Sequence, residues 1–284
     1  MKLEAETEKT GLVGHPVAHS KSPVMMNEAF SQEGLPWIYL AFDVDSEELG
    51  QAVAGLKSLG FRGWNVTLPH KVAVMEHLDE IEESAQEIGA VNTVIQQDGR
   101  LIGTNTDGAG YLESLVRETG FDVKGRRVVI LGAGGAARAV SYTLARAGAE
   151  QIRIVNRTEK KAQDLAEHLR RWTRADGISP GEASIAIREA DLLVQTTSVG
   201  MHPHLEGCPV DPASLHGDLL VSDLIYRPRQ TRLLREAKAR GAQVHSGLGM
   251  LLYQGALAFE RWTGRRAPVK RMGEVLKQSL EESG

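Results

Sequence analysis

The folds open to this chain are restricted most by the stretch Arg126–Val140, with the sequence RRVVILGAGGAARAV. Its segment Val128–Leu131 is a continuous aliphatic run, which is typical of a strand buried on both faces of a parallel sheet. A glycine-rich turn follows directly, and an alanine-rich segment with helical character then extends to about Ala147. The chain is therefore expected to contain a strand–turn–helix unit of the kind that builds α/β domains.

The turn of this unit has the Gly-x-Gly-x-x-Ala spacing of dinucleotide-binding domains. Gly132 permits the tight turn, Gly134 lets backbone amides approach a pyrophosphate, and Ala137 lets the helix lie close to the strand. The unpaired N–H groups at the helix N-terminus favour phosphate. The alternative is an ordinary glycine-rich βα turn. The residues predicted to bind the dinucleotide here are Gly132, Ala133, Gly134, Gly135 and Ala136.

The next predicted strand, Gln151–Val155, ends in a basic turn. An NAD-binding unit usually carries Asp or Glu at this point to hold the ribose 2′-hydroxyl. This chain has Asn156-Arg157-Thr158 instead, followed by Lys160 and Lys161. Guanidinium and ammonium groups attract a 2′-phosphate, which a carboxylate would repel. We therefore predict NADP as the cofactor, with Asn156, Arg157, Thr158 and Lys161 in contact with it; the alternative is a solvated basic turn.

Composition excludes several classes of protein. The net charge of −4 over 284 residues argues against a nucleic-acid partner. The single cysteine, Cys208, rules out an intramolecular disulfide and a cysteine-cluster metal site. His202 and His204 lack a third ligand at suitable spacing, so we predict no metal. The charged N-terminus is no signal peptide, and no apolar run has the length of a membrane span. A soluble, cytoplasmic protein is expected.

Polar side chains gather near one strand of the first hundred residues. The pattern predicts a strand over Trp64–Leu68 and then a helix to about Leu78. Asn65, Thr67 and Lys71 therefore lie where a strand ends, the usual place for ligand groups in open α/β sheets. Lys71 is a candidate acid–base at this position, and the alternative is a solvated helix lysine.

A second polar group is expected from a hairpin within Gly89–Thr106, whose turn is Asp98-Gly99. Pairing of its arms brings Asn92 at one outer end close to Asp107 at the other. That arrangement would place a carboxylate and amides at one end of a sheet. The alternative for Asp107 is that it caps a helix over Tyr111–Glu118.

A third polar group precedes a predicted helix that ends near Gln32. Ser22 and Pro23 are suited to the N-cap and the first helical position. The functional alternative is that Ser20 and Ser22 offer their hydroxyls, beside a helix N-terminus, to an anionic group such as a carboxylate.

The remaining pattern alternates strands and helices, as a doubly wound domain does. The predicted strands are Val128–Leu131, Ile152–Val155, Leu192–Thr196, Leu219–Ile225 and Gln243–His245. The predicted helices are Glu159–Arg171 and Thr231–Arg240. Thr196 opens a loop that we expect to contact the cofactor. Two later helices, Gly247–Trp262 with Gln254 and Val269–Leu280, are expected to return to the first domain.

Eight motifs occur in order along almost the whole chain, and together they resemble the NADP-dependent shikimate dehydrogenase family. They are SKSP (Ser20–Pro23), NVTLPHK (Asn65–Lys71), GAVNT (Gly89–Thr93), TNTDG (Thr104–Gly108), GAGGAA (Gly132–Ala137), NRT (Asn156–Thr158), TTSVGM (Thr196–Met201) and GLGMLLYQ (Gly247–Gln254). The resemblance implies an α/β fold with two domains: a substrate domain with a mixed sheet, residues 1–107 completed by helices in 247–284, and a Rossmann-like doubly wound NADP domain, residues 108–246.

The resemblance also implies an activity and roles for individual residues. The activity is the reversible NADPH-dependent reduction of 3-dehydroshikimate to shikimate, in the pathway to chorismate and the aromatic amino acids. The sequence leaves open whether the protein is a monomer or a homodimer. Lys71 and Asp107 would be the catalytic pair, and Ser20 and Ser22 would hold the substrate carboxylate. The residues expected at the ring hydroxyls are Asn65, Thr67, Asn92, Asp107 and Gln254. Tyr226 would border the substrate, and Leu224 (through its backbone) and Gly247 would line the nicotinamide side.

Two alternatives stay open at this point. One is a quinate/shikimate dehydrogenase that uses NAD, against which the basic turn at Arg157 argues. The other is a catalytically inactive NADP-binding sensor, which would be expected to lack Lys71 or Asp107, and both residues are present.

Overall fold

A computed structural model describes residues 4–282. The chain divides into two compact units: the described residues up to Gly110 together with those from Leu251 onward, and Tyr111–Met250. The strands are β1 (Glu8–Gly14), β2 (Trp37–Asp43), β3 (Phe61–Val66), β4 (Glu80–Ile81), β5 (Thr93–Gln97), β6 (Arg100–Thr104), β7 (Arg127–Leu131), β8 (Gln151–Val155), β9 (Arg174–Ile178), β10 (Leu192–Gln195), β11 (Leu220–Asp223) and β12 (Gln243–Ser246). The α-helices are α1 (Ser22–Gln32), α2 (Leu49–Ser58), α3 (Glu83–Ile88), α4 (Asp107–Thr119), α5 (Gly135–Arg146), α6 (Glu159–Leu169), α7 (Ala183–Arg188), α8 (Arg232–Ala239), α9 (Leu248–Thr263) and α10 (Val269–Glu281).

The first unit is built on a mixed six-stranded sheet in the order β2-β1-β3-β5-β6-β4. Strands β1, β2 and β3 run parallel, whereas β5 is antiparallel to both β3 and β6. Asp98 and Gly99 have φ values of 52° and 74°, as a two-residue hairpin turn requires. The predicted mixed sheet and its hairpin are confirmed.

The second unit is built on a parallel six-stranded sheet in the order β12-β11-β10-β7-β8-β9. Counted within the unit, this is the strand order of a doubly wound dinucleotide-binding domain, whose strand order reverses between β7 and β10. Val128–Leu131 is buried throughout, because helices cover both faces of the sheet. The predicted doubly wound fold is confirmed.

The prediction of a helix from Pro69 to Leu78 was wrong. The chain makes turns there, followed by a 3-10 helix over Ala73–His77. The backbone carbonyl of Lys71 accepts a hydrogen bond from the N–H of Val91, 2.8 Å away, and is thus drawn out of the helical pattern. The predicted strand over Trp64–Leu68 is also displaced, since β3 ends at Val66.

The sequence patterns missed β9, the edge strand of the second sheet. Its sequence, RADGI, has few residues with β propensity and contains a glycine. Gly177 is required by packing: a Cβ there would lie 2.4 Å from the backbone nitrogen of Gln163 and 2.5 Å from the carbonyl carbon of Ala162. Close approach of α6 to the strand therefore selects glycine.

We expect Gly177→Ala to lower the free energy of unfolding by roughly 1–3 kcal/mol, because backbone on both elements must move to admit the methyl group. The thermal unfolding midpoint, measured by calorimetry, reports this change. Gly181→Ala is the matched control, since the nearest atom to its Cβ is Ser179 Oγ at 3.8 Å. Equal midpoints for the two variants would contradict the packing argument.

One histidine is enclosed in the second unit and holds three elements together. The ring of His245, on β12, lies 2.8 Å from the hydroxyls of Ser114 on α4 and Ser222 on β11. Burial lowers the pKa of His245 from 6.5 to about 4. Between those pH values the unfolded chain binds a proton that the folded chain excludes, so this histidine's contribution to stability rises with pH and is complete above pH 6.5.

We therefore expect the difference in unfolding free energy between the wild type and His245→Gln to grow by about 3 kcal/mol from pH 4 to pH 6.5. Asp223 has the opposite effect, because burial raises its pKa from 3.8 to about 6. That contribution is present in both proteins and cancels in the difference. Urea unfolding of both proteins at several pH values measures the difference in unfolding free energy. A difference that does not change with pH would show that the pKa of His245 is the same in the folded and unfolded chains.

Within residues 4–282, no helix is long and apolar enough to cross a membrane.

Candidate functional site

The first unit contains a buried polar cluster around Asp107. Lys71 Nζ lies 2.5 Å from Asp107 Oδ2, and the Asn92 side-chain amide donates to Asp107 Oδ1 over 2.8 Å. The side chains of Lys71 and Asp107 are 13 % and 5 % exposed. Such a pair lies in a region of low dielectric, where its interaction is stronger than that of a surface ion pair. Lys71 and Asp107 therefore form one charged unit that opens to solvent on the lysine side.

The alternative role of Asp107 as a helix cap is not realised. Asp107 is the first residue of α4, and its own N–H is bonded to the Asn105 side chain, 3.0 Å away. Both of its carboxylate oxygens are directed at Lys71 and Asn92 instead. The carboxylate is thus a hydrogen-bond acceptor within the polar cluster and does not cap the helix.

Asn92 is the centre of this cluster. The two hydrogens of its amide group are shared among three acceptors: Asp107 Oδ1, Thr106 Oγ1 at 2.9 Å and Gln254 Oε1 at 3.4 Å. Its oxygen accepts from the backbone N–H of Thr106 at 2.7 Å and from Thr93 Oγ1 at 3.0 Å. Because these bonds fill its capacity, Asn92 fixes the positions of Asp107 and Gln254. The predicted proximity of Asn92 and Asp107 is confirmed.

Asn65 is tied to the same cluster from β3. Its amide group donates to Thr93 Oγ1 at 3.0 Å and to the backbone oxygen of Asn92 at 3.2 Å. Its oxygen accepts from the hydroxyl of Tyr39 at 2.8 Å. Tyr39, which the sequence patterns missed, is 1 % exposed and is also hydrogen-bonded to Ser22. Burial raises the pKa of this phenol, which therefore remains a hydrogen-bond donor.

Ser22 is not the N-cap of α1, contrary to one of the two predictions for it. The cap residue is Lys21, and Ser22 is the first helical residue. Its N–H is bonded to Ser20 Oγ at 3.2 Å, so the side chain of Ser20 satisfies the helix start instead. The hydroxyl of Ser22 is free of the capping role and faces Tyr39.

Thr67 and Gln254 each lie so close to a glycine that no larger residue fits beside them. A Cβ on Gly14 would lie 2.3 Å from Thr67 Cγ2, and one on Gly110 would lie 2.5 Å from the backbone nitrogen of Gln254. Thr67 is half-buried, and its hydroxyl has no hydrogen-bond partner among residues 4–282. It can therefore bond a ligand without losing an internal contact.

The second unit shows a regular arrangement of the residues predicted to bind the cofactor. Five parallel strands, β7, β8, β10, β11 and β12, are each followed at once by one of them. Since the carboxyl ends of parallel strands share one edge of the sheet, these residues lie along that edge. The five are Gly132, Asn156, Thr196, Leu224 and Gly247.

The glycine-rich turn after β7 fits a dinucleotide. Gly132 has a φ of +113°, and a Cβ there would lie 2.4 Å from Thr196 Oγ1. Gly134 has open space around its Cβ position, with no atom within 4 Å, and directly precedes α5. The first intrahelical bond reaches Arg138, so the amides of Gly135, Ala136 and Ala137 are directed outward from the helix end. Ala133, within this turn, is partly buried against the core.

The basic turn after β8 presents two cations without acidic partners. Asn156 is bonded to the backbone oxygen of Thr158, the cap residue of α6, at 3.0 Å. Lys160 is paired with Asp164 at 2.5 Å. Within residues 4–282, neither Arg157 nor Lys161 has an ion pair, and both are exposed. This charge is available for a phosphate.

Thr196, Leu224 and Gly247 lie at the same sheet edge, after β10, β11 and β12. The Thr196 hydroxyl is bonded to the backbone oxygen of Leu131 at 2.7 Å and ties its loop to β7. A Cβ on Gly247 would lie 2.0 Å from the backbone oxygen of Leu224, so only glycine fits there. Tyr226 follows β11 and is half-buried. The contact of Leu224 with Gly247 is made by its backbone.

No group of three or more His, Cys, Asp or Glu side chains with the geometry of a metal site occurs in residues 4–282. His202 and His204 lie in the loop after β10, and both are exposed.

Comparison with known proteins points to one family. Three family models match: the shikimate dehydrogenase substrate binding domain over residues 12–94, shikimate / quinate 5-dehydrogenase over residues 114–208, and the shikimate 5′-dehydrogenase C-terminal domain over residues 247–277. The shikimate dehydrogenase (NADP+) of Methanopyrus kandleri is 52 % identical, with 99 % of this chain and 98 % of that protein covered.

Solved structures agree with this. A crystal structure of a shikimate dehydrogenase in complex with NADP+ has a TM-score of 0.91 at 42 % identity, covering 98 % of both chains. The shikimate 5-dehydrogenase of Thermus thermophilus, in complex with NADP(H) and shikimate, has a TM-score of 0.87 at 43 % identity. It covers 96 % of this chain and 100 % of that one.

Proposed function

The chain belongs to the NADP-dependent shikimate dehydrogenase family, and we propose that it catalyses the reversible reduction of 3-dehydroshikimate to shikimate with NADPH. The reaction is a step of the shikimate pathway to chorismate and the aromatic amino acids. The observation that carries this proposal is the 2.5 Å contact between Lys71 and Asp107 within a buried hydrogen-bonded cluster. A polyhydroxylated ring with a carboxylate is the kind of substrate that such a cluster of amides, hydroxyls and cations recognises.

We propose that the first unit binds the substrate and the second binds NADP. Ser20 and Ser22 hold the substrate carboxylate in this proposal. Asn65, Thr67, Asn92, Asp107 and Gln254 contact the ring hydroxyls, and Tyr226 borders the ring.

For the cofactor, the turn Gly132–Ala136 holds the pyrophosphate, since its outward amides and open space fit that group. The residues at the 2′-phosphate are Asn156, Arg157, Thr158 and Lys161. Thr196, Leu224 and Gly247 contact the nicotinamide side.

The chemical step divides between cofactor and protein. NADP, when bound, supplies the hydride acceptor or donor for the alcohol carbon. The Lys71 ammonium donates a proton to the substrate oxygen during reduction, and the neutral amine accepts it in the reverse direction. Asp107 orients Lys71 and is itself held in place by Asn92, so the proton-transfer geometry is set before the substrate arrives.

The test is the initial rate of nicotinamide reduction with shikimate, measured in parallel with NADP and with NAD. We expect a rate with NADP far above that with NAD. Preference for NAD would overturn the role of Arg157 and bring forward a quinate/shikimate dehydrogenase, with quinate as the next substrate. Tight NADP binding without any turnover would favour an NADP-binding sensor. Cytoplasmic location and a monomeric or homodimeric state stay predictions, the latter tested by sedimentation.

A further inference from the structure

Lys21 lies between the two serines proposed to bind the substrate carboxylate, but its ammonium group is directed at another element. Nζ donates a hydrogen bond to the backbone oxygen of Ser279, 2.8 Å away. Ser279 is in the last turn of α10, is 8 % exposed, and is 258 residues further along the chain. The SKSP motif is therefore linked to α10 by a hydrogen bond.

The direction of this side chain has an electrostatic reason. Lys21 is the N-cap residue of α1, where the partial positive charge of the helix end disfavours a cation. The carbonyl groups in the last turn of an α-helix carry partial negative charge. The ammonium group of Lys21 is thus stabilised at the C-terminal end of α10 and not at the N-terminal end of α1.

The backbone around Lys21 connects its contact with α10 to the positions of both serines. Ser20 Oγ accepts the N–H of Ser22 across Lys21, so the three residues form one tight turn. A second contact between the two helices, Arg271 on α10 with Glu28 on α1 at 2.6 Å, lies away from that turn. Of these two polar contacts with α10, the one made by Lys21 lies in the turn that carries the serine hydroxyls.

We propose that Lys21 is a positioning residue, through which α10 holds Ser20 and Ser22 in the geometry that binds the substrate carboxylate. The inference rests on the proposed function, since it takes shikimate as the ligand of these serines. It assigns a part in substrate binding to a helix that carries no proposed site residue.

Lys21→Met keeps the length of the side chain and removes the donor. We expect the KM for shikimate to rise about tenfold, with kcat and the KM for NADP within about twofold, because only the carboxylate contact loosens. Arg271→Met is the matched control, as it removes another cation that joins α1 to α10. An unchanged KM in Lys21→Met overturns the proposal, and so does an equal rise in both variants.

Two further measurements separate positioning from a direct charge effect on the carboxylate. The KM of Lys21→Met should stay above that of the wild type at about 0.5 M salt. The 2.8 Å contact with Ser279 is shorter than the Debye length of about 4 Å at that concentration, whereas an attraction to the carboxylate over a longer distance is screened. Equal KM values for Lys21→Met and the wild type at that salt concentration overturn the proposal. Lys21→Arg, which keeps a donor at this position, should restore a KM within about threefold of the wild type.

The unmodified protein gives an independent test if Lys21→Met fails to fold. Shikimate should slow amide hydrogen exchange in the last turn of α10, residues 277–281, although none of the proposed substrate-binding residues lies in that turn. Unchanged exchange there, with shikimate bound at saturation, overturns the proposal. Absence of shikimate binding or turnover in the wild type would instead overturn the proposed function, so the two failures are distinguishable.

Discussion

Lys71→Ala is expected to reduce kcat by about 10² or more while leaving the KM for shikimate nearly unchanged. The reason is that Lys71 is the cation of the buried cluster and the partner of Asp107 at 2.5 Å. In the proposed mechanism, its removal deletes the proton donor for the substrate oxygen but leaves in place Ser20 and Ser22, the residues proposed to bind the carboxylate. Steady-state kinetics in both directions, with shikimate and with 3-dehydroshikimate, measure this effect.

Lys57→Ala is the matched control for this prediction. Lys57 also pairs with an aspartate in the first unit, Asp79 at 2.9 Å, but the two side chains are 37 % and 41 % exposed. A solvent-exposed pair of this kind contributes little to stability and nothing to proton transfer, so kcat should not change. A large rise in KM with normal kcat in Lys71→Ala would show that Lys71 binds substrate and does not transfer the proton.

Arg157→Ala is expected to raise the KM for NADP by about 10- to 100-fold and to leave the KM for NAD within about twofold. A hydrogen bond to a charged group contributes about 1.5–3 kcal/mol, and NAD lacks the phosphate that would receive it. Arg157 is suited to this role because it is exposed and has no ion pair within residues 4–282. The ratio of kcat/KM for the two cofactors is the quantity to measure.

Arg153→Ala provides the comparison, because Arg153 lies on β8 as well but is paired with Glu189 at 2.6 Å. This variant should keep the cofactor preference of the wild type. If Arg157→Ala weakened NADP and NAD equally, the residue would contact the adenosine that both cofactors share, and the 2′-phosphate would have to be held by other groups.

The second unit was largely predictable because its signals are local. The buried run Val128–Leu131 and the glycines after it define a βα unit without reference to the rest of the chain. The hairpin turn at Asp98-Gly99 is another local signal, and it correctly predicted the contact of Asn92 with Asp107. Each of these patterns involves residues that are neighbours along the chain. The turn or the strand–helix connection that they form is therefore determined mainly by their backbone preferences.

The errors have tertiary causes. The helix expected after Pro69 is absent because the backbone carbonyl of Lys71 accepts a hydrogen bond from the N–H of Val91. Val91 is twenty residues away along the chain, so the local sequence pattern gives no sign of this bond. Strand β9 has weak β propensity and is stabilised by pairing with β8 and by α6 packed on Gly177. Tyr39 was missed because one tyrosine in a strand does not reveal which polar groups its hydroxyl will meet.

The sequence alone determined that the chain has a parallel sheet with a glycine-rich turn before a helix, a basic turn after the next strand, and polar residues at strand ends. Only the tertiary structure decided how those polar residues combine: Lys71 with Asp107, Asn92 with Gln254, and Lys21 with the end of α10. Propensity and periodicity act over a few residues, whereas each of these pairs spans 36 to 258 residues. Their partners are selected by sheet register and helix packing, because a buried polar group is stable only where the whole fold brings it a hydrogen-bond partner.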